Sequence, residues 1–461
     1  MATGNVAVVG GGLAGLSAAH ELKRRGLNVE LFERSRLLGG KATSFAVGDN
    51  EVDNGQHVFL GVCDQLLDFF RESGVPSREI YLQPRFEALL LDPGRPDNSA
   101  RLREWPLPAP LHLAPALLMY KHLSPVDRIK LALALLAARK PAPLDETFAA
   151  WLDRHRQSSA SRRSFWEPFL VPALNAPLHE VGAEDALFVV RQAFLGGRGA
   201  ARFGYARVPL GRLAERAARG IDRVHKRSVV LGVELDTGGV PLLRVGNEQR
   251  SFDGVVLAVP PERLGRLVAG TGLLDVDLAQ FRTAAIVDVH LWYSRPFAFT
   301  FAAVLESPMQ WIFQKAPGYL CCSMSAADEY VGQPGTELVE LCHSVIAGLF
   351  PEAAEKLKSG AATRDREATF IPGPGLTRPG PLTVSPRITI AGAWTDTGWP
   401  ATMESAVRSG RIAAKALVVE PLRDEPQIEA AQPVGAATGD DLYRAEPASR
   451  VVASSTLEAA P

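Results

Sequence analysis

Three glycines spaced Gly10-x-Gly12-x-x-Gly15, a carboxylate at Glu33, a glycine pair at Gly39–Gly40 and the polar run "DNGQHVFLG" at 53–61 are residues whose types and spacing could do chemistry. The first spacing brings bare backbone, with Leu13 and Ala14 between the glycines, to the start of a helix whose free N–H groups can meet an anion. Glu33 stands eighteen residues past Gly15, where a carboxylate can accept both hydroxyls of a ribose, and Arg34 follows it. The titratable candidates for moving a proton are His57, Asp288, His290 and Glu404, and spacing does not choose among them. Glu404 also suits the charge of its own helix's first turn, and Asp288 and His290 could simply pair with each other.

The elements that must position these groups are legible around them. "NVAVVGGGLAGLSAAHELKRRGLNVELFER" reads as strand, glycine turn, amphipathic helix, glycine stop and second strand, a βαβ unit. Two distant apolar runs, "GVVLAVP" at 254–260 and "RITIAGAW" at 387–394, have the character of strands buried on both faces and are expected in the same sheet. The glycine motif alone fits NAD or FAD. "LLGGKATSF" at 37–45, including Lys41, adds a second place for close backbone approach directly after the ribose carboxylate, which favours the longer cofactor, FAD. No second complete G-x-G-x-x-G is present to hold NAD(P)H, so electrons must reach the flavin from elsewhere. The fold class expected is α/β: a Rossmann-like FAD-binding domain over 1–90, 204–265 and 372–420, interleaved with a substrate domain of mixed sheet and helices over 91–203 and 266–371. Residues 421–461 lack an apolar period and read as a disordered tail.

With 461 residues and a net charge of −1, the chain has no field to hold nucleic acid. No His or carboxylate cluster has metal-ligand spacing. The cysteines Cys63, Cys321, Cys322 and Cys342 read as buried apolar residues, and an uncharged but glycine-broken start without a basic leader reads as a cytoplasmic N-terminus. The segment 105–140 is very apolar, yet its prolines and Lys121, Asp127, Arg128 and Lys130 prevent it from spanning a bilayer. It suits either a set of core helices or a surface resting on a membrane. In "AIVDVHLWY", alternation puts Ile286, Asp288, His290 and Trp292 on one strand face, and with "FWEPFLVPALN" and "MQWIFQK" they could wall an apolar tunnel, ordinary core packing being the other reading of each ring taken singly.

Gly10 to Leu22, Glu33, "LLGGKATSF" and "AGAWTDTGWPATMESAVRSGRIAAKAL" resemble the superfamily of FAD-dependent amine oxidases and phytoene desaturases. "VDNGQHVFLG", "FWEPFLVPALNAPLHEVGAEDALFVV" and "AWTDTGWPATMESAVRSG" resemble its hydroxysqualene dehydroxylase branch, along most of residues 5–418. The resemblance implies non-covalent FAD, a backbone contact to the adenine side from Val230, and a C-terminal strand and helix closing over the flavin at Gly392, Ala393 and Met403. Ala393 departs from the family's usual acidic residue; that contact would weaken or pass to water or Asp396. Gly55, Gln56 and His57 would lie alongside the isoalloxazine. The implied substrate is a long-chain isoprenoid alcohol, handed over by a squalene-synthase-like enzyme at the inner face of a membrane, its hydroxyl replaced by hydride to give squalene. The rivals are a carotenoid-type desaturase and a prenyl carrier of the Rab GDI-like fold without flavin chemistry.

Overall fold

The β-branched run after Gly4 forms the strand Asn5–Val9 at the centre of a five-stranded sheet in the computed structural model, which describes residues 4–419. The strand order is Arg223–Lys226, Asn28–Glu33, Asn5–Val9, Gly254–Leu257, Ile388–Ile390, and every pairing is parallel. The two distant apolar runs therefore do join the first βαβ unit. Alternation divides the sheet's side chains between two apolar layers. Val6, Val8, Val29, Leu31 and Val256 pack under the helices Leu13–Arg24, Asp64–Glu72, Leu210–Ala218 and Met403–Ala416. Ala7, Val9, Phe32, Val255 and Leu257 pack on the other side, against the antiparallel strands Val230–Leu235, Pro241–Val245 and Glu248–Ser251 and the helix Pro261–Leu267.

A second, seven-stranded sheet runs Leu357–Phe370, Thr283–Tyr293, Tyr319–Ser325, Trp311–Ala316, Phe301–Val304, Glu87–Leu91, Ala100–Arg103. All its pairings are antiparallel except Phe301–Val304 with Glu87–Leu91, so it is mixed, as expected. One face packs on the helix Gly335–Leu349 through Val287, Val289, Leu291, Ile312 and Met324. The other meets the helices between residues 114 and 193 through Phe86, Leu90, Phe301, Trp311 and Phe313. The domain boundary drawn at residue 90 falls inside Glu87–Leu91, whose partners all belong to this larger sheet. Cross-strand pairing outweighs the local composition shift from which that boundary was read.

The segment 105–140 forms two helices, Ala114–Leu118 and Pro125–Ala137. Their inward side chains, among them Ala116, Leu131, Ala134 and Leu135, join the core under the larger sheet, while their outward side chains stay exposed. Among the described residues no helix is long and apolar enough to cross a membrane. The segment 421–461, expected to be a disordered tail, lies outside the described residues.

Candidate active site

Because the five-stranded sheet is parallel, its strands all end at one edge, and that edge collects Gly10, Glu33, the chain after Lys226, Ala258 and Gly392–Ala393. Open α/β sheets bind ligands at this edge. The glycines there serve different purposes. A Cβ on Gly15 would stand 1.9 Å from the carbonyl oxygen of Gly10, and one on Gly10, at φ +108°, would stand 2.2 Å from that of Ala258. The fold itself excludes side chains at both. Gly12 is different: its φ of −75° and ψ of 177° suit any residue. A Cβ on Gly12 would meet no protein atom nearer than 3.8 Å. Nothing in the chain requires a glycine there, whereas a group lying against the backbone would. Gly12 is the N-cap of Leu13–Arg24, and no side chain caps that helix, so the first-turn N–H groups of Leu13, Ala14 and Gly15 have no side-chain acceptor. This is a cradle for a pyrophosphate.

The second glycine pair closes on the first. Gly39 N donates to Gly11 O at 2.8 Å, and a Cβ on Gly40 would come 3.1 Å from Gly12 Cα. Glu33 ends its strand with each carboxylate oxygen accepting one backbone N–H, from Gly11 and from Ser35, both at 2.7 Å. A carboxylate has about four acceptor positions, so both oxygens can still receive ribose hydroxyls. Arg34 is exposed beside it. Ser228 N donates to Glu33 O at 2.9 Å, which brings the start of Val230–Leu235 next to the ribose carboxylate. Val230 is buried, and its carbonyl accepts from Arg263 at 3.4 Å.

At the far end, Thr402 caps the helix that Met403 begins, accepting from Ser405 N at 3.2 Å. Ala393 O accepts from Ser405 Oγ at 3.1 Å, and Gly392 N donates to Ser409 Oγ at 2.9 Å, so the strand end and the helix start form one unit. Asp396 is exposed and accepts from Gly398 N at 3.2 Å, turned into its own loop. Arg378, which gave no signal in the sequence, ties this loop down by donating to the carbonyls of Thr395 and Trp399.

The run "DNGQHVFLG" leaves the hairpin Ser44–Val47/Asn50–Asp53 and passes beneath the larger sheet. Its acid, Asp53, is buried and occupied: Oδ1 accepts from Ser44 Oγ at 2.7 Å and Leu210 N at 2.8 Å, and Oδ2 meets Lys315 Nζ at 3.2 Å. Gly55, at φ +93°, takes a turn that disfavours a side chain. Gln56 N donates to Asp288 Oδ1 at 3.2 Å. His57 Nε2 lies 3.2 Å from both Lys41 O and Asn54 O. Two carbonyl acceptors require that nitrogen to carry the proton, and burial holds the imidazole below its ordinary pKa, hence neutral. The ring pins the hairpin to the glycine loop. Lys41 Nζ reaches away to Ala368 O at 3.1 Å.

Asp288 and His290 do not pair, because each meets nearer partners across the strands. His290 Nδ1 is 2.8 Å from Tyr319 Oη and Nε2 is 3.3 Å from Thr363 Oγ1; burial pulls its pKa down to about 4, so the ring is neutral. Asp288 is buried against Gln56 N and Cys321 Sγ, the latter at 3.6 Å. Burial raises its carboxyl from 3.8 to about 6, outweighing the hydrogen bonds from Ser323, Gln56 and Cys321 that favour the anion. The strand registers Asp288–Ser323–Trp311 and His290–Cys321–Phe313–Phe301 put both groups on the sheet face that carries the aromatic rings. Trp311 packs on Phe169 and Phe203, at centroid distances of 5.9 and 5.0 Å, and donates from Nε1 to Pro168 O at 2.8 Å. "AIVDVHLWY", "MQWIFQK" and "FWEPFLVPALN" thus meet. Trp292 instead stacks on Tyr319 beside Val47 and Val52 and forms the rim of that face.

Glu404 belongs elsewhere. Its fully buried carboxylate accepts from Leu66 N at 2.7 Å, Gln65 N at 3.3 Å and Arg408 Nε at 2.6 Å. It caps the start of Asp64–Glu72, a neighbouring helix, and these three donors occupy its carboxylate.

Residues 13–418 match the model of the family described as flavin containing amine oxidoreductase. The chain belongs to this family. It is an FAD-dependent oxidoreductase, and the cradle at Gly12, the free acceptors of Glu33 and the joined C-terminal unit fit that cofactor. Among its relatives, a hydroxysqualene dehydroxylase of Rhodopseudomonas palustris is 31% identical over 437 residues, 89% of this chain and 97% of the relative. A 15-cis-phytoene desaturase of Synechococcus elongatus is 24% identical over 464 residues, 92% of this chain and 97% of that one. Among solved structures, cyclohexylamine oxidase of Brevibacterium oxydans shares the fold with a TM-score of 0.66 at 19% identity, covering 90% of this flavoenzyme and 99% of that chain.

Proposed function

We propose that this flavoenzyme removes the hydroxyl of hydroxysqualene reductively, releasing squalene and water. The observation that carries the reading is Asp288, a buried carboxyl raised to about 6 that shares one sheet face with an aromatic wall and touches the Gly55–Gln56 backbone. Reduced FAD, when bound, supplies the hydride. Asp288 supplies the proton: its O–H is given to the substrate hydroxyl, the C–O pair leaves with it as water, and the Asp288 carboxylate formed is met by the Gln56 N–H and the Cys321 thiol. Neither imidazole suits that task, since His57 donates to backbone carbonyls and both rings are held neutral. The aromatic rings of Trp311 and Phe313, on the same sheet face as Asp288, suit the neighbourhood of a carbon that turns electron-poor as water departs.

Gly12 and the first-turn N–H groups of Leu13, Ala14 and Gly15 would hold the pyrophosphate, Glu33 with Arg34 the ribose, and the Val230 backbone the adenine side. Gly39, Gly40 and Lys41 would flank the phosphates, while Gly55, Gln56, Gly392, Ala393 and Met403 would flank the flavin, held without a covalent bond. Hand-over of the alcohol by a squalene-synthase-like enzyme belongs to the same proposal. The test is anaerobic incubation of the dithionite-reduced protein with hydroxysqualene. Squalene should form with stoichiometric return of oxidised flavin absorbance. Phytoene desaturation by the oxidised protein, with no squalene from the alcohol, would overturn the reading in favour of a desaturase.

A further inference from the structure

The helix Pro125–Ala137 is apolar on both sides. Leu131, Ala134 and Leu135 face the core, as a helix over a sheet requires, yet the opposite stripe is Val126, Ile129, Leu133 and Leu136, each more than half exposed. A helix at a water-facing surface carries polar residues on that stripe. Leu107, Leu111, Leu118, Met119 and Leu144 extend the exposed apolar set, so nine of the fifteen exposed large apolar side chains of the described residues fall between positions 107 and 144. Monomeric proteins rarely leave such a concentration to water. The charges around it are in basic excess: residues 101–146 contain seven Lys and Arg against the four acids Glu104, Asp127, Asp145 and Glu146, in a chain whose net charge is −1. Arg128 reinforces the pair of helices by donating to the carbonyls of Leu118 and Leu123, and Lys121, Arg139 and Lys140 are exposed.

We propose that this face docks on the surface of an anionic lipid bilayer, with Ile129, Leu133, Leu118 and Met119 entering the interface and the lysines and arginines meeting lipid phosphates. Apolar side chains ringed by cations are the pattern of an interfacial helix, and a second copy of the same face would bring like charges together. The inward sides of the same two helices, through Ala116, Leu131, Ala134 and Leu135, belong to the apolar cluster that also holds Phe86, Trp166 and Trp311. The face that would meet the bilayer and the aromatic wall thus belong to helices and strands that share one apolar cluster, which gives a molecule dissolved in the bilayer a short step to the wall. That step to the substrate rests on the isoprenoid reading, whereas the docking itself does not.

Sedimentation of the FAD-loaded full chain with phosphatidylglycerol-containing and with phosphatidylcholine vesicles tests the proposal. Binding should favour the anionic vesicles and weaken with salt. Ile129→Glu/Leu133→Glu should abolish it, and Arg139→Glu/Lys140→Glu should weaken it by at least about fivefold per basic side chain lost. All variants should keep flavin absorbance, and turnover measured in detergent micelles should equal that of the unaltered protein, which separates docking from misfolding. Binding unchanged by either pair of substitutions would overturn the proposal. So would a concentration-dependent dimer, seen by light scattering without lipid and dissolved by the same substitutions. If hydroxysqualene is not turned over in micelles while vesicle binding responds as stated, the substrate reading fails and the docking face stands.

Discussion

Replacing Asp288 by Asn separates the cost of burying a carboxyl from its use. The folded protein raises this group from 3.8 to about 6, chiefly by burial, and that difference is worth about 3 kcal/mol. A raised pKa means the folded state binds the proton more tightly, so the associated stability is complete below pH 3.8 and is lost as pH rises through about 6. At neutral pH the wild-type protein therefore holds an ionised carboxylate in a place that disfavours it. Asn keeps the oxygen that accepts from Gln56 N and Cys321 Sγ, and it carries no charge. D288N should be more stable than wild type by up to about 3 kcal/mol at neutral pH and equal to it near pH 4. Urea denaturation of the FAD-saturated proteins across that range measures the difference. The same variant should lose about a hundredfold or more of hydroxysqualene turnover, because Asn has no proton to give. Wild-type kcat/KM should fall tenfold per pH unit above about 6. A variant no more stable than wild type at neutral pH would refute the burial argument, and full turnover by it would refute the proton-donor role.

Gly12→Ala should leave the apoprotein's stability within about 1 kcal/mol, since its Cβ finds open space, but weaken FAD at least about tenfold in a fluorescence titration. Gly15→Ala, whose Cβ would strike Gly10 O at 1.9 Å, should lower the melting temperature of the apoprotein sharply. Glu33→Gln should weaken FAD by about 1.5–3 kcal/mol, a charge-assisted hydrogen bond's worth, measured by the same titration. His57→Ala should loosen FAD by freeing Lys41 O and Asn54 O, yet leave the pH at which kcat/KM falls unmoved; a shift of that pH would make His57 the proton donor instead. Glu404→Ala should destabilise by about 3 kcal/mol, since it strips acceptors from Leu66 N and Arg408, while single-turnover hydride transfer stays intact.

The dinucleotide half of the site was legible because its determinants are contiguous. Strand, glycines, helix, second strand and Glu33 occupy one unbroken run, and each has a local reason to be what it is. The other half depends on partners far away in the chain. Asp53 meets Lys315 across 262 residues, and Gln56 N reaches Asp288 across 232, distances at which residue spacing carries no signal. Composition likewise misassigned the end of the first domain segment, since the strand Glu87–Leu91 is claimed by its neighbours in the larger sheet. The segment 105–140 posed a choice between core and surface that the folded chain does not make: its helices use opposite sides for each.

What fixes Asp288 on its face of the sheet is the alternation already visible in "AIVDVHLWY". Val287, Val289 and Leu291 fill the apolar layer against Leu338, Cys342 and Ile346, and Asp288 and His290 point the other way. A slip of one residue in register would exchange the two sets. It would bury a carboxyl and an imidazole among aliphatic side chains without Gln56, Tyr319 or Thr363 to meet them, and leave three aliphatic residues at the polar junction with the hairpin. Each unpaired polar group costs about 1–3 kcal/mol, and each aliphatic side chain moved out of the core costs a comparable amount. The slipped arrangement is therefore higher by an amount comparable to the whole stability of a typical domain. The position of the acid relative to the aromatic wall is thus set by the packing on the opposite face of the sheet, so substitutions at Val289 or Leu291, whose side chains fill that opposite layer, bear directly on its geometry.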